Sequence, residues 1–434
     1  MVATLTVCLI LIGYTAVAAP LDRRGVTSAM VFVAVGFLVG VRSLGLVDRP
    51  LQSTIAERIT ELALVFLLFS DSLRLDLGSL RRELSWPSRL LLIGLPLTIV
   101  LGLVGGVLVF PGMGVASAFL LSTMLCSTDA ALGQRVVDDT AVPPRVRQAL
   151  DVESGLNDGL AVPFFLVAMD ISMATLTSSV PAAVVGNAAS QIGWGVLAGV
   201  GAGALGGFVR HQSRDRAWMP DQWRQVFTFA VALAAYAVAG ALGGSGFIAA
   251  FVAGLAFGAV SHEHGIAATY LTEQAGSLLA AVTWMGFGAL AISAAWPTVT
   301  WRVLAYALIS LTVVRMLPVA VAMAGTGAAW QTVTFMGWFG PRGLASVVFG
   351  LLALERGVPN AQSLLSTVVV TVGMSVFLHG LTSVPFVARY HAWYASRAAA
   401  TSADAEGKPT KVPRGRYHRG SGEFETSNAP SPAA

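Results

Sequence analysis

Leu120-Leu121-Ser122-Thr123-Met124-Leu125-Cys126-Ser127-Thr128-Asp129-Ala130-Ala131-Leu132 begins as an apolar run, halts at three polar residues and resumes. A second interruption, Phe339-Gly340-Pro341-Arg342-Gly343-Leu344, lies far downstream in another apolar run. Proline removes a backbone donor and clashes with the preceding turn, so helical continuity fails there. At membrane depth a broken helix is tolerated only where protein or a water-filled cavity satisfies the freed backbone groups. The two stretches together predict an all-α polytopic membrane fold with a pair of interrupted helices.

The rest of the chain agrees. Of its 434 residues 55% are hydrophobic and 12% charged, against roughly 45–50% and about 25% in soluble domains. The mean hydropathy of +0.72 is far above a globular value, which excludes a soluble enzyme. Apolar runs between turn and charge signals place thirteen segments, near 3–19, 26–41, 55–72, 88–110, 114–137, 147–170, 184–209, 223–242, 246–260, 271–295, 301–324, 332–355 and 361–388. Segment 1 carries a signal-like Ala16-Val17-Ala18 but no basic stretch ahead of it, so it reads as a span. Residues 396–434 turn Ser-, Pro-, Gly- and Lys/Arg-rich and read as a disordered cytoplasmic tail.

The net charge of +4 does not point to nucleic acid. All basic residues except Lys408 and Lys411 are Arg, and most mark the ends of apolar runs. The loops after segments 1, 3, 5 and 7 hold Arg23, Arg24, Arg74, Arg81, Arg82, Arg89, Arg135, Arg145, Arg147, Arg210, Arg214, Arg216 and Arg224. Alternate loops hold mainly Arg42, Arg49, Arg302 and Arg356. The positive-inside rule then sets the N-terminus outside and the C-terminus in the cytoplasm, which an odd number of spans requires. The two breaks fall in segments 5 and 12. Two six-segment halves joined by segment 7 bring the breaks to equivalent places, and the offset of seven inverts one half, as in secondary transporters. Cys8 and Cys126 read as packing residues, and His262-Glu263-His264 as a short loop with no resident metal.

A charge near the bilayer centre costs about 2.5–3.5 kcal/mol on insertion scales and needs a partner, a cavity or a task. Segment 6 carries the densest group, Asp151-Val152-Glu153-Ser154-Gly155-Leu156-Asn157-Asp158-Gly159. At 3.6 residues per turn, Asp151, Ser154 and Asp158 share one face, with Glu153 and Asn157 on the adjacent one. Carboxylate, hydroxyl and carbonyl oxygens suit a hard monovalent cation, and Thr128 and Asp129 add to that set. Glu153 reads as the structural partner of Arg315, which stands alone in Leu311-Thr312-Val313-Val314-Arg315-Met316-Leu317. Arg342 offsets negative half-helix ends within the second break. Asp71 and Glu61 are candidates for an approach funnel. His379 is the only histidine inside a predicted segment and shows no evident serine partner, which argues against an intramembrane hydrolase.

At Ser127-Thr128-Asp129-Ala130-Ala131 and Asp151 through Gly159 the chain resembles the monovalent cation:proton antiporter-1 family, which includes NhaP-type bacterial sodium/proton antiporters and animal sodium/proton exchangers. Gly340-Pro341-Arg342-Gly343 is similar to that family's glycine–arginine–glycine break. The resemblance covers about residues 1–390. It implies Asp158 as the carboxylate that takes protons and cation in turn, with Thr128, Asp129, Ser154 and Asn157 around it. Asn157-Asp158 is the pair associated with electroneutral one-for-one exchange. The resemblance further implies a Glu153–Arg315 ion pair, Asp71 on the cytoplasmic approach, and a homodimer in the cell membrane. In that homodimer, helices of residues 1–72 and 184–295 form a scaffold and those of 88–170 and 301–388 a moving core. Ala130 stands where relatives often have proline, which implies a gentler break.

These readings converge on a secondary antiporter that needs no cofactor and partners only with membrane lipid and its own second copy. It exchanges Na+ for H+, with K+/H+ or broad Na+/K+/Li+ exchange as the alternative. A channel or receptor scaffold is the rival from another class.

Overall fold

The structure is a computed structural model that describes residues 2–40, 45, 54–75, 85–177, 181–263, 266–398 and 406. Apart from connecting turns and the breaks, the described residues are helical, with a helix at each predicted segment. They are α1 (Val2–Arg23), α2 (Ser28–Val39), α3 (Thr54–Leu73), α4 (Ser85–Val109), α5a (Val115–Met124), α5b (Ala130–Asp138), α6 (Pro144–Thr177) and α7 (Pro181–Asp215). They continue as α8 (Asp221–Ala241), α9 (Gly246–Ser261), α10 (Ile266–Gly286, extended by a π turn), α11 (Trp301–Met323), α12a (Trp330–Trp338), α12b (Leu344–Glu355) and α13 (Ala361–Ala398). Among the described residues, eight helices are long and apolar enough to cross a membrane by length and composition. α2, α5a, α9 and α12b are shorter apolar helices.

Packing sorts them into two groups. α10 packs on α2 and α3, and α9 on α3; α7 joins them through α9, and α8 through α9, α10 and α3. α4, α5a and α6 pack together, as do α11, α12 and α13, and α4 also meets α11. α6 is shared, touching α3, α7 and α9 as well. The α7–α9 contact is built on Gly195, Gly199, Gly203 and Gly207, one per turn, where any Cβ would run into α9 backbone at Ser245, Ala249, Ala253 or Phe257. Small residues at this spacing let two helices meet backbone to backbone.

Both suspected breaks are complete. Leu125–Asp129 is non-helical between α5a and α5b, and Phe339–Gly343 between α12a and α12b. The gentler break expected from Ala130 does not occur. Asp129 caps α5b by accepting the Leu132 N–H (3.1 Å), so a capped restart at Ala130 needs no proline. α11 is also interrupted, at Thr312, one turn ahead of Arg315.

Of the predicted tail beyond residue 398, only Glu406 lies among the described residues. It is buried, and its Oε1 accepts the Ala329 N–H (2.8 Å) and the Thr332 hydroxyl (3.1 Å) at the start of α12a. His264 and the loop arginines Arg42, Arg49, Arg81 and Arg82 lie outside the described residues.

Candidate functional site

The two breaks dock on each other. The Asp129 N–H donates to Pro341 O (2.8 Å), and the Leu344 N–H donates to Asp129 Oδ2 (2.9 Å). With Oδ1 on Leu132 N, one carboxylate caps two half-helices, α5b and α12b, whose positive ends converge on it. A Cβ at residue 343 would overlap the Asp129 carboxylate, so glycine is required there. Asp129 thus carries a structural duty that sequence reasoning did not assign, since it depends on a contact between distant segments.

Arg342 is fully buried and turns into the other break, its Nη1 donating to Cys126 O (2.9 Å) and Ser127 O (3.0 Å). Two carbonyls of the break just past the C-terminal end of α5a are thereby satisfied by a cation, whose charge also suits the partial negative charge of that helix end. Glu153 on α6 and Arg315 on α11 form a buried bidentate pair, Nη1 on Oε1 and Nη2 on Oε2, the latter at 2.9 Å. The guanidinium crosses Gly340, where a Cβ would overlap it. Both glycines of Gly340-Pro341-Arg342-Gly343 therefore make room for a specific charged group.

Asn157 holds Thr128 at two points. Its Nδ2 donates to Thr128 Oγ1 (2.6 Å), and its Oδ1 accepts the Thr128 N–H (3.1 Å). The Thr128 and Ser154 hydroxyls stand 3.2 Å apart. All three side chains are buried. Asn157 thus ties α6 to the α5 break.

Asp158 differs from its neighbours. Its Oδ1 is buried and has no hydrogen-bond partner among the described residues, an expensive arrangement for a carboxylate with nothing else to hold. The Ser127 hydroxyl lies within its reach, and Asp129 and Asp71 are the neighbouring charges. Asp71 approaches through the backbone gap at Gly155. Gly159, next to Asp158, lies under the Phe251 ring of α9. Asp158 is therefore presented at the seam between the two helix groups. Sequence reasoning quoted Ser127 but gave it no role; its place ahead of Thr128-Asp129 was the available signal.

Two small cavities border these elements. A cavity of about 10 Å³, room for one water, lies beside Ala130, Gly133, Asp151, Ser154 and Phe339. A second of similar size lies along the α3–α12b seam beside Thr60, Glu61, Leu351 and Glu355. Glu61 accepts from Tyr236 (3.0 Å) and Arg58 (2.8 Å). No cluster of three or more His, Cys, Asp or Glu side chains suited to a metal ion occurs among the described residues.

The family described as sodium/hydrogen exchanger, transmembrane, matches residues 7–389. The chain belongs to this family. Among curated exchanger-family relatives, it is 26% identical over 373 residues to the K(+)/H(+) antiporter NhaP of Alkalimonas amylolytica, covering 85% of this chain and 63% of that protein. It is 25% identical over 375 residues to the K(+)/H(+) antiporter NhaP2 of Shewanella oneidensis, covering 83% and 62%. The chain thus spans less than two thirds of the length of these relatives. The solved structure of the sodium proton antiporter MjNhaP1 from Methanocaldococcus jannaschii superposes with a TM-score of 0.69 over 88% of this chain and all of that one, at 18% identity. That likeness establishes the exchanger fold.

Proposed function

We propose that this exchanger-family chain is a secondary antiporter that passes a monovalent cation, Na+ foremost, one way and H+ the other, one for one. The observation that carries the reading is the buried, unpartnered Oδ1 of Asp158 beside two docked helix breaks. A carboxylate so placed takes a proton or an alkali cation, and binding one expels the other. The Thr128, Ser154 and Ser127 oxygens complete the surroundings. Asn157 and Asp129 act chiefly by holding the two breaks in register, and Glu153–Arg315 by anchoring α6 to α11.

Alternating access follows from α4–α6 with α11–α13 moving against α1–α3 with α7–α10. Either cargo neutralises Asp158 before it moves, so the moving part carries no added charge. Asp71 and the Asp151–Ser154 cavity serve the cytoplasmic approach, and the Glu61–Glu355 crevice the opposite one. The protein crosses the cell membrane thirteen times as a homodimer, with its N-terminus outside and C-terminus in the cytoplasm. K+ is the second reading, favoured by the names of the curated relatives, K(+)/H(+) antiporters.

The purified full chain, reconstituted in liposomes loaded with a pH-sensitive dye, tests this. Addition of Na+, K+ or Li+ in turn should collapse an imposed pH gradient and rank the ions, and a valinomycin clamp should leave the rate unchanged if exchange is electroneutral. Asp158→Asn should abolish the collapse without loss of the monodisperse protein peak. Collapse that persists in Asp158→Asn would falsify the assignment, and current without counter-transport would replace it with a channel.

A further inference from the structure

His379 on α13 is 3% exposed and lies outside the cation-binding set, yet it is wired into the second break. Its Nε2 stands 2.9 Å from Trp338 O, the carbonyl of the last residue of α12a. Its Nδ1 stands 3.2 Å from the Ser375 hydroxyl and 2.9 Å from Ser375 O, one turn earlier on α13. Ser375 Oγ in turn accepts the Arg342 N–H at 2.7 Å, and Arg342 reaches across to Cys126 O and Ser127 O. A continuous path therefore runs from α12a through His379, Ser375 and Arg342 to the α5 break. The Trp338 indole adds a second fastening to α13, its Nε1 donating to Thr382 Oγ1 (2.9 Å).

We propose that His379 is a positioning residue for the cation site, pinning the end of α12a so that Arg342 stays on the α5 carbonyls next to Thr128. In the tautomer that engages the Ser375 hydroxyl as well, that hydroxyl donates to Nδ1 and the proton sits on Nε2, which donates to Trp338 O; the other tautomer would spend its N–H on Ser375 O instead. The neighbouring charges are Arg342 and Arg315, both cationic. Leucine at 379 leaves Trp338 O without this donor and Ser375 without its second partner. Glutamine keeps an N–H donor at similar reach. The inference rests on the proposed antiport, and its test separates the two.

Cation-dependent exchange by His379→Leu, His379→Gln and Ser375→Ala should be measured in liposomes across a range of Na+ or K+ concentrations. His379→Leu should raise the apparent KM for the cation about tenfold, the scale of one buried hydrogen bond, with the maximal rate within about twofold. His379→Gln should return KM to within about twofold of the parent, and Ser375→Ala should fall between. Nitrogen-15 NMR of histidine-labelled protein, with the signal assigned by its loss in His379→Gln, should show a protonated Nε2. An unshifted KM in His379→Leu, a glutamine variant no better than leucine, or an unprotonated Nε2 would each overturn the proposal. If His379→Leu fails to fold, the glutamine kinetics and the spectrum still decide. A parent protein that exchanges no cation defeats the antiport reading instead, and the spectrum then decides His379 alone.

Discussion

Breaking the Glu153–Arg315 pair should destabilise the protein far more than breaking any exposed pair. Glu153 is 3% and Arg315 4% exposed, so both ions have been stripped of water. At 2.9 Å between Nη2 and Oε2, an effective dielectric near 20 gives an attraction of about 6 kcal/mol, most of it offset by desolvation. Removing one partner keeps the desolvation and loses the attraction, a loss of about 3–5 kcal/mol or more than a hundredfold in the folded-to-unfolded ratio. Glu153→Gln and Arg315→Gln should therefore each melt well below the parent in detergent, followed by fluorescence-detected size exclusion. The double variant should be no worse than the poorer single one, because neither charge is then stranded. Glu273→Gln is the internal standard, since it breaks a pair with Arg74 that is only half-buried, 15% and 30% exposed, and so keeps part of its hydration. If Glu153→Gln melts no lower than Glu273→Gln, or the double variant is the sum of the singles, the pair is not the anchor described here.

Other outcomes follow from the docked breaks. Asp129→Asn offers one acceptor where two helix ends need one each, and turns its amide toward the Leu344 or Leu132 N–H. It should destabilise by about 1–3 kcal/mol in thermal melts, more than an ordinary cap loss of about 1 kcal/mol. Gly343→Ala should be similarly damaging by overpacking against Asp129, about 1–3 kcal/mol, while alanine at the open Gly133 should be silent in the same assay. Asn157→Ala cuts both bonds to Thr128 and should lower the melting temperature and raise the apparent cation KM together, measured on one preparation in micelles and liposomes.

Much of this architecture is readable from local pattern. The apolar runs locate the helices because a bilayer demands long uninterrupted stretches, and Gly246–Ser261, short as it is, forms where its run lies. The partnership of Arg315 follows from the expense of a lone buried guanidinium, with Glu153 the carboxylate facing away from Ser154. What sequence hides is reciprocity between distant segments. Nothing in Ser127-Thr128-Asp129 says that Asp129 reaches Leu344, or that Asn157 spends its amide on Thr128. His379 is a different case. Its serine partner, Ser375, sits four residues earlier on the same helix, a spacing visible without any structure, and the pair ties α13 to the second break.

Asp129 fastens one half of the chain to the other at the spot where cargo would sit. A gate that worked by prising α5 and α12 apart would tear both helix caps with each turnover. Under the proposed exchange the bolted crossing would travel whole, rocking as a single block, with the sliding surface pushed outward to where Gly159 lies beneath Phe251. A single methyl at that track would displace the Phe251 ring even at rest.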